Sequence, residues 1–165
     1  SIEQFRNPDL VQSVKTILTH NQLDPAYLEL EVTETAVSKN ADQLRKTLND
    51  LKALGVSISI DDFGTEYSSL SRLKQLPLDR IKIDKQFVHG IAAGSKDEAI
   101  ISVIITLAQS MGLHIIAEGV ETEEQIAFLK NHNCREVQGY YYYKPMPSNE
   151  IEQIFIMDKR TFTYS

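Results

Sequence analysis

The chain has 165 residues, 42% of them hydrophobic, which is enough for one domain with its own core and no need for disulfide support. Its 23 acidic and 17 basic residues give a net charge of −6, which argues against charge-driven binding to nucleic-acid polymers or anionic membranes. The single cysteine, Cys134, excludes an internal disulfide and cysteine-based zinc motifs, and no apolar stretch reaches the length of a membrane span. We therefore expect a soluble chain without a signal peptide, in the reducing cytoplasm.

Helix and strand patterns alternate along the whole sequence. Apolar residues at helical spacing predict helices at residues 8–20, 41–54, 68–74, 97–111 and 122–131. Strand patterns fall between them, at residues 28–33, 56–60, 80–83, 113–117 and 136–140. Gly55 and Gly112 are placed to end two of the helices, and Thr122 is placed to cap another. This order predicts a parallel sheet covered by helices, either open or closed into a barrel.

The predicted strands are apolar on one face only, whereas parallel strands are usually apolar on both. In the first strand, Glu29 and Glu31 alternate with Leu30 and Val32, and the other strands show similar alternation. The apolar face suits the helices. In a closed barrel the polar face would point inward, where its charges must be compensated by one another or by bound cations.

Acidic residues gather at the C-terminal ends of these strands, where the catalytic residues of a TIM barrel are found. They are Glu31, Glu34, Asp61, Asp62, Asp84 and Glu118. Any one of them alone is more often a helix cap or an ion-pair partner, but the same polarity in five strands favours a metal site. Oxygen ligands without Cys or a convergent His pair favour Mg²⁺ or Mn²⁺ over zinc.

Several other polar and aromatic residues carry less information. His20, His89 and His132 are interpreted as solvated surface or loop histidines. The four tyrosines at residues 140–143 could stack on a nucleobase, but at a strand end we favour packing as their role.

Six short motifs resemble one known family in their order and spacing. They are Glu31-Val32-Thr33-Glu34-Thr35, Ile60-Asp61-Asp62-Phe63-Gly64-Thr65, Tyr67-Ser68-Ser69-Leu70, Ile81-Lys82-Ile83-Asp84, Ala117-Glu118-Gly119-Val120-Glu121-Thr122, and Gln138-Gly139-Tyr140 followed by Lys144-Pro145-Met146-Pro147. The family is the EAL domain, the bacterial cyclic di-GMP phosphodiesterase. The resemblance covers residues 4–154, so residues 1–165 are interpreted as the C-terminal portion of a single EAL domain. It implies an α/β fold, a TIM-like barrel that is incomplete in this chain.

The resemblance also implies a reaction and its metal ligands. The parent protein would hydrolyse cyclic di-GMP to the linear dinucleotide pGpG with two cations, Mg²⁺ or Mn²⁺. Glu31 and Asp61 would ligate one cation, and Asp61, Asp62 and Glu118 would serve the second.

Four residues receive other roles from the same resemblance. Lys82 would hold the attacking water, and Glu118 would help to deprotonate it. Gln138 would touch the substrate, and Glu34 would position the loop that follows Asp62.

Two departures from the family pattern affect these expectations. Glu66 stands where the family usually has glycine, in a loop that also contributes to dimer contacts. The Glu-Ala-Leu signature strand and a strand with a metal-binding asparagine lie upstream of Ser1 in the family. We therefore expect this chain alone to be inactive, and its open sheet edges to favour a homodimer or larger oligomer. The parent is expected to carry sensory or diguanylate cyclase domains.

Two other functions remain open. A degenerate EAL domain would sense cyclic di-GMP or dock a partner without hydrolysis, and the upstream sequence would discriminate between this and the enzyme. A different metal-dependent barrel enzyme would require the order of the motifs to be a coincidence. The presence of Lys82 and of the strand-end carboxylates favours the phosphodiesterase.

Overall fold

Five parallel strands follow one another in sequence order across a single sheet, in the part of the chain that the structure describes. They are β1 Glu29–Thr33, β2 Ser57–Phe63, β3 Arg80–Ile83, β4 His114–Glu118 and β5 Glu136–Gln138. The structure is a computed structural model that describes residues 4–5, 7–39, 41–65 and 70–158, without the side chains of residues 38, 39, 41–43, 157 and 158. The expectation for Glu66 and part of the helix predicted at 68–74 lie outside these residues.

Helices connect the strands, as the alternation of patterns predicts. They are α1 Leu10–His20, α2 Glu34–Lys39, α3 Ala41–Lys52, α4 Leu70–Leu73, α5 Lys85–His89, α6 Lys96–Ser110, α7 Glu123–Asn131 and α8 Ser148–Asp158. The predicted cap is confirmed, because the Gln125 amide donates to the Thr122 hydroxyl at the start of α7 (3.3 Å). Among the described helices, none combines the length and the apolar character that crossing a membrane requires.

The core lies between the apolar face of the sheet and the helices. Side chains that alternate along β2 and β3 are fully buried there, as the one-sided pattern predicts, together with residues of α3, α6 and α7. Fully buried members include Leu48, Leu51, Ile58, Ile60, Ile81, Ile83, Ile101 and Leu129. Each such side chain contributes about 1.5–3 kcal/mol through its removal from water, so this layer holds the sheet in place beneath the polar face.

A bulge in β2 interrupts the regular pairing of the sheet. Ile60 pairs with Ile81 but Phe63 pairs with Ile83, so β2 contains one more residue than β3 over this stretch. Asp62 lies inside the bulge with a left-handed φ of +54°. In a regular strand, neighbouring side chains point to opposite faces of the sheet. The bulge interrupts this alternation at Asp61 and Asp62.

The polar face of the sheet is concave. The Arg80 guanidinium on β3 pairs with Glu29 on β1 (3.1 Å) and with Glu136 on β5 (2.8 Å). Both strands lie two positions away from β3, about 10 Å in a flat sheet, so curvature brings them within reach of one side chain. Within the described residues, β1 and β5 have a neighbouring strand on one side only.

Candidate active site

Lys82 lies at the centre of the polar face, among carboxylates from three other strands. Its ammonium group contacts Glu31 on β1, lies 3.5 Å from Asp61 Oδ1 on β2, and lies 2.6 Å from Glu118 Oε1 on β4. The Lys82 side chain is only 8% exposed, whereas that of Glu31 is 49% exposed. The structure thus brings together four residues of the predicted site through alternation along separate strands.

The charge state of Lys82 follows from these neighbours. Burial by itself lowers the pKa of the ammonium group, because the charged form loses its hydration. The hydrogen bonds to Glu118 and Glu31 and the charge of Asp61 outweigh this effect, and the pKa of Lys82 lies above its ordinary value. Lys82 therefore stays protonated and serves as the positive counter-charge of the site.

Asp62 is placed beside the same cluster by the β2 bulge. Burial, a hydrogen bond with Asp84, and the negative charges of Asp61, Asp84 and Glu118 raise the pKa of Asp62 to about 6. Asp84 also caps α5, where its Oδ1 accepts from the Gln86 amide (2.8 Å). Carboxylates outnumber the ammonium group here, so the site attracts cations.

Glu34 supports the segment that follows Asp62. Its side chain is buried, and its Oε2 accepts a hydrogen bond from the Gly64 amide (2.9 Å). Gly64 has a φ of +99° and lies against Phe87, where a Cβ atom would approach the ring to 2.9 Å. The contact joins the start of α2 to the loop after β2, and the loop-positioning role of Glu34 stays a prediction.

A pocket of about 570 Å³ opens beside Glu118. Gln138, at the end of β5, is exposed and lines this pocket with Glu118, Tyr140 and Lys144. Gln138 does not join the Lys82 cluster in any contact the structure shows, but it lies where a molecule approaching Glu118 would meet it.

Three features of the site differ from the sequence interpretation or were missed by it. Asp84 is hydrogen-bonded to Asp62; its place at a strand end put it among the candidate acids, but the family resemblance assigned it no ligand or catalytic role. His89 is exposed at the surface, as interpreted, but it also ends α5 and lines the pocket, a location that the sequence did not indicate. The four tyrosines at residues 140–143 are 41–58% exposed and so lie outside the core, although the rings of Tyr141 and Tyr142 pack edge to face with their centroids 5.0 Å apart.

The arrangement of the carboxylates bears on the expected metal site. Within residues 4–5, 7–39, 41–65 and 70–158, no three His, Cys, Asp or Glu side chains are grouped so that they could hold a metal ion. The carboxylates face the Lys82 ammonium instead. Asp61 Oδ1 is nevertheless buried and accepts no hydrogen bond. Its contact with the Lys82 ammonium group, at 3.5 Å, is an ion pair without a hydrogen bond. An oxygen-only donor set with an unsatisfied buried carboxylate oxygen fits a hard divalent cation.

Comparison with known proteins identifies the family. The family model described as the EAL domain matches residues 1–145. The cyclic di-GMP phosphodiesterase NbdA of Pseudomonas aeruginosa is 47% identical over 87% of this chain and 18% of its own length. The bifunctional diguanylate cyclase/cyclic di-GMP phosphodiesterase MucR of the same species is 46% identical over 90% of this chain and 22% of its own length. The chain thus spans about a fifth of these relatives.

Solved structures agree in both fold and sequence. The PaMucR phosphodiesterase in complex with cyclic di-GMP superposes with a TM-score of 0.88 at 46% identity, over 92% of this chain and 61% of that chain. Klebsiella pneumoniae BlrP1, in a complex with manganese and cyclic di-GMP, gives a TM-score of 0.79 at 35% identity, over 86% of this chain and 36% of that chain. The chain therefore belongs to the EAL domain family, and its five strands form part of that family's TIM-barrel fold.

Proposed function

We propose that the protein carrying this chain hydrolyses cyclic di-GMP to pGpG. The observation that carries the proposal is the meeting of Lys82 with Glu31, Asp61 and Glu118 on the polar face of the sheet. The names of NbdA and MucR and the cyclic di-GMP complex of PaMucR support this choice of substrate.

The carboxylates are the candidate ligands of divalent cations. Glu31 and Asp61 would hold one cation, and Asp61, Asp62 and Glu118 a second. The manganese complex of BlrP1 and the unsatisfied Asp61 Oδ1 support the use of Mg²⁺ or Mn²⁺. When bound, such cations neutralise the phosphate and lower the pKa of a water molecule. They would also offset the negative charge that an acidic site presents to an anionic substrate.

Side chains of this protein position the attacking water and accept its proton. Lys82 holds the attacking water through its ammonium group, and a Glu118 carboxylate oxygen accepts the proton of that water. The water oxygen forms a new bond to phosphorus while one P–O bond of the ring breaks, and the leaving oxygen takes up a proton to give the linear product. Gln138 contacts the substrate at the pocket, and Glu34 keeps the loop after Asp62 in place.

The test is an assay of the intact protein with cyclic di-GMP in Mg²⁺ or Mn²⁺. Wild-type protein should release pGpG, and Glu118→Gln should lower kcat by at least about 100-fold while substrate binding persists, since the substitution removes the base but leaves other phosphate contacts. Glu123→Gln is the matched control, because Glu123 lies exposed in the first turn of α7.

Other outcomes separate the competing functions. Wild-type protein that binds cyclic di-GMP without hydrolysing it in either metal would favour the sensor function. Full turnover by Glu118→Gln would show that another group accepts the proton.

A further inference from the structure

The loop that follows Glu118 crosses from β4 to α7 and passes over α5. It consists of residues 119–122, and we call it the Glu118 loop. Two side chains outside the proposed chemistry, His89 and Gln125, connect it to α5. Because Glu118 immediately precedes this loop, whatever fixes the loop also fixes the backbone that carries the proposed base.

Gln125 makes the first connection. Its amide side chain is buried, with the residue only 6% exposed. Its Oε1 accepts from the amides of Glu121 (2.7 Å) and Thr122 (3.0 Å), and its Nε2 donates to the Val88 carbonyl on α5 (3.1 Å). One side chain thus joins two loop amides to α5, and a buried amide deprived of such partners is costly.

His89 makes the second connection. Its Nε2 lies 3.1 Å from the Gly119 carbonyl oxygen. A carbonyl only accepts, so this nitrogen carries the proton and donates. Glu121 Oε1 lies 3.7 Å from the same nitrogen. His89 therefore holds the first residue of the Glu118 loop, whereas Gln125 holds its last two residues.

The backbone of Gly119 lies directly on α5. Its φ is +71°, and a Cβ atom at this position would come within 2.5 Å of Lys85 Cβ and 3.2 Å of His89 Nε2. Only glycine allows this approach without displacement of α5 or the loop. The hydrogen bond from His89 therefore forms where the loop backbone at Gly119 packs tightly against α5.

We propose that His89 and Gln125 are positioning residues that clamp the Glu118 loop to α5 and so set the place of the Glu118 carboxylate. The helix α5 begins one residue after Asp84, which itself follows the strand that carries Lys82. The clamp thus fixes Glu118 relative to Lys82, two groups 2.6 Å apart. This inference rests on the proposed phosphodiesterase function, in which both groups act on the same water.

His89 gives the sharper test because its side chain is 47% exposed and its replacement does not disrupt the core. In the intact protein, His89→Leu should lower kcat about tenfold with less than about a twofold change in KM, because the base is misplaced while substrate contacts remain. His89→Gln retains an N–H donor and should recover kcat to within about threefold of wild type. His20→Leu, an exposed histidine on α1, is the matched control and should match wild type.

A second measurement does not depend on activity. Hydrogen exchange of the Glu121 and Thr122 amides should become about tenfold faster in His89→Leu, whereas amides of Ile104 and Ile105 in α6 should keep their wild-type rates. Wild-type kcat in His89→Leu, unchanged exchange of the loop amides, or a His89→Gln variant no better than His89→Leu would each overturn the clamp. If wild-type protein does not hydrolyse cyclic di-GMP, the proposed function fails, and the exchange rates alone decide whether the clamp exists.

Discussion

Lys82 balances the charges of the site, because it is the residue on which three carboxylates converge. Glu31, Asp61 and Glu118 each lie within ion-pair distance of its nearly buried ammonium group. Without that positive charge, their mutual repulsion would have to be relieved by protonation or by a bound cation. A divalent cation bound as proposed would therefore neutralise the same carboxylates as Lys82.

This relation predicts the behaviour of Lys82→Met. The substitution keeps the apolar part of the side chain but removes its charge, so the free energy of unfolding should fall by about 1–3 kcal/mol in metal-free buffer. Added Mg²⁺ should then raise the melting temperature of the variant more than that of wild type, because the cation replaces the lost charge. Thermal unfolding with and without Mg²⁺ measures both effects.

Lys74→Met is the matched control for this experiment. Lys74 is exposed, outside the site, and its replacement should change neither the stability nor the response to Mg²⁺ appreciably. Equal responses of the two variants would mean that Lys82 does not offset the charges of these carboxylates.

Cys134 is predicted to be chemically inert in the folded protein. Burial, and then the charge of Glu136, raise the pKa of its thiol from 9.0 to about 11. The thiol should react slowly with a disulfide reagent at pH 8 and rapidly in denaturant, where the same residue serves as its own control. A native reaction rate equal to the unfolded rate would contradict the burial of Cys134.

The same pKa predicts a stability change in alkali. The folded state holds the thiol proton more tightly than the unfolded state, so the contribution of Cys134 is intact below pH 9 and is lost as the pH rises toward 11. The stability of wild type should therefore fall more steeply than that of Cys134→Val across this interval. Urea unfolding at several pH values measures the difference.

At the scale of elements, the alternation of polar and apolar residues was sufficient to predict the strands. All five were predicted within a few residues of their observed bounds, and the polar side chains on alternate positions meet as expected. The β2 bulge could not be predicted from periodicity, because Asp61 and Asp62 are adjacent and a regular strand would separate them. Three helices were not predicted: α2 and α5 contain only six and five residues, too few for a helical period to show, and the longer α8 follows the last predicted strand.

Gly139, the residue that follows β5, is in close contact with the Glu118 loop, and this contact gives a prediction. Its backbone is so close to Val120 that a Cβ atom would lie 2.1 Å from the carbonyl oxygen and 2.3 Å from the amide nitrogen. The Val120 amide donates a hydrogen bond to the Gln138 carbonyl (3.1 Å), and the Val120 carbonyl accepts one from the Tyr141 amide (2.9 Å). These two bonds prevent Val120 from moving aside freely. Gly139→Ala should lower the free energy of unfolding by about 1–3 kcal/mol through overpacking.

The control for Gly139→Ala is Gly94→Ala. Gly94 has a φ of +76°, and a Cβ atom there would meet no other atom within 4 Å, so its substitution costs only the left-handed conformation, about 1 kcal/mol. Urea unfolding curves of both variants decide the question. If Gly139→Ala costs no more than Gly94→Ala, the close approach to Val120 is easily relieved.

At the scale of the whole molecule, curvature connects the fold to the site. Arg80 reaches Glu29 on β1 and Glu136 on β5 from the middle of the sheet, and two residues further along β3, Lys82 reaches β1 and β4. Both clusters require the concave face that a barrel sheet provides. Composition and periodicity did not distinguish an open sheet from a closed barrel, because curvature depends on long-range packing. The barrel was predicted from the resemblance to a known family.

The open edges of this sheet predict how the 165-residue chain behaves when it is purified alone. Strands β1 and β5 each have one neighbour among the described residues, which leaves backbone donors and acceptors available to another copy. Exposed apolar residues such as Phe155 and Ile156 on α8 favour association as well. We expect light scattering to give a mass above 18.7 kDa that rises with concentration, and the amides of β1 and β5 to exchange more slowly in the associated state. A non-aggregating monomer of 18.7 kDa throughout the series would show that the chain protects its own edges.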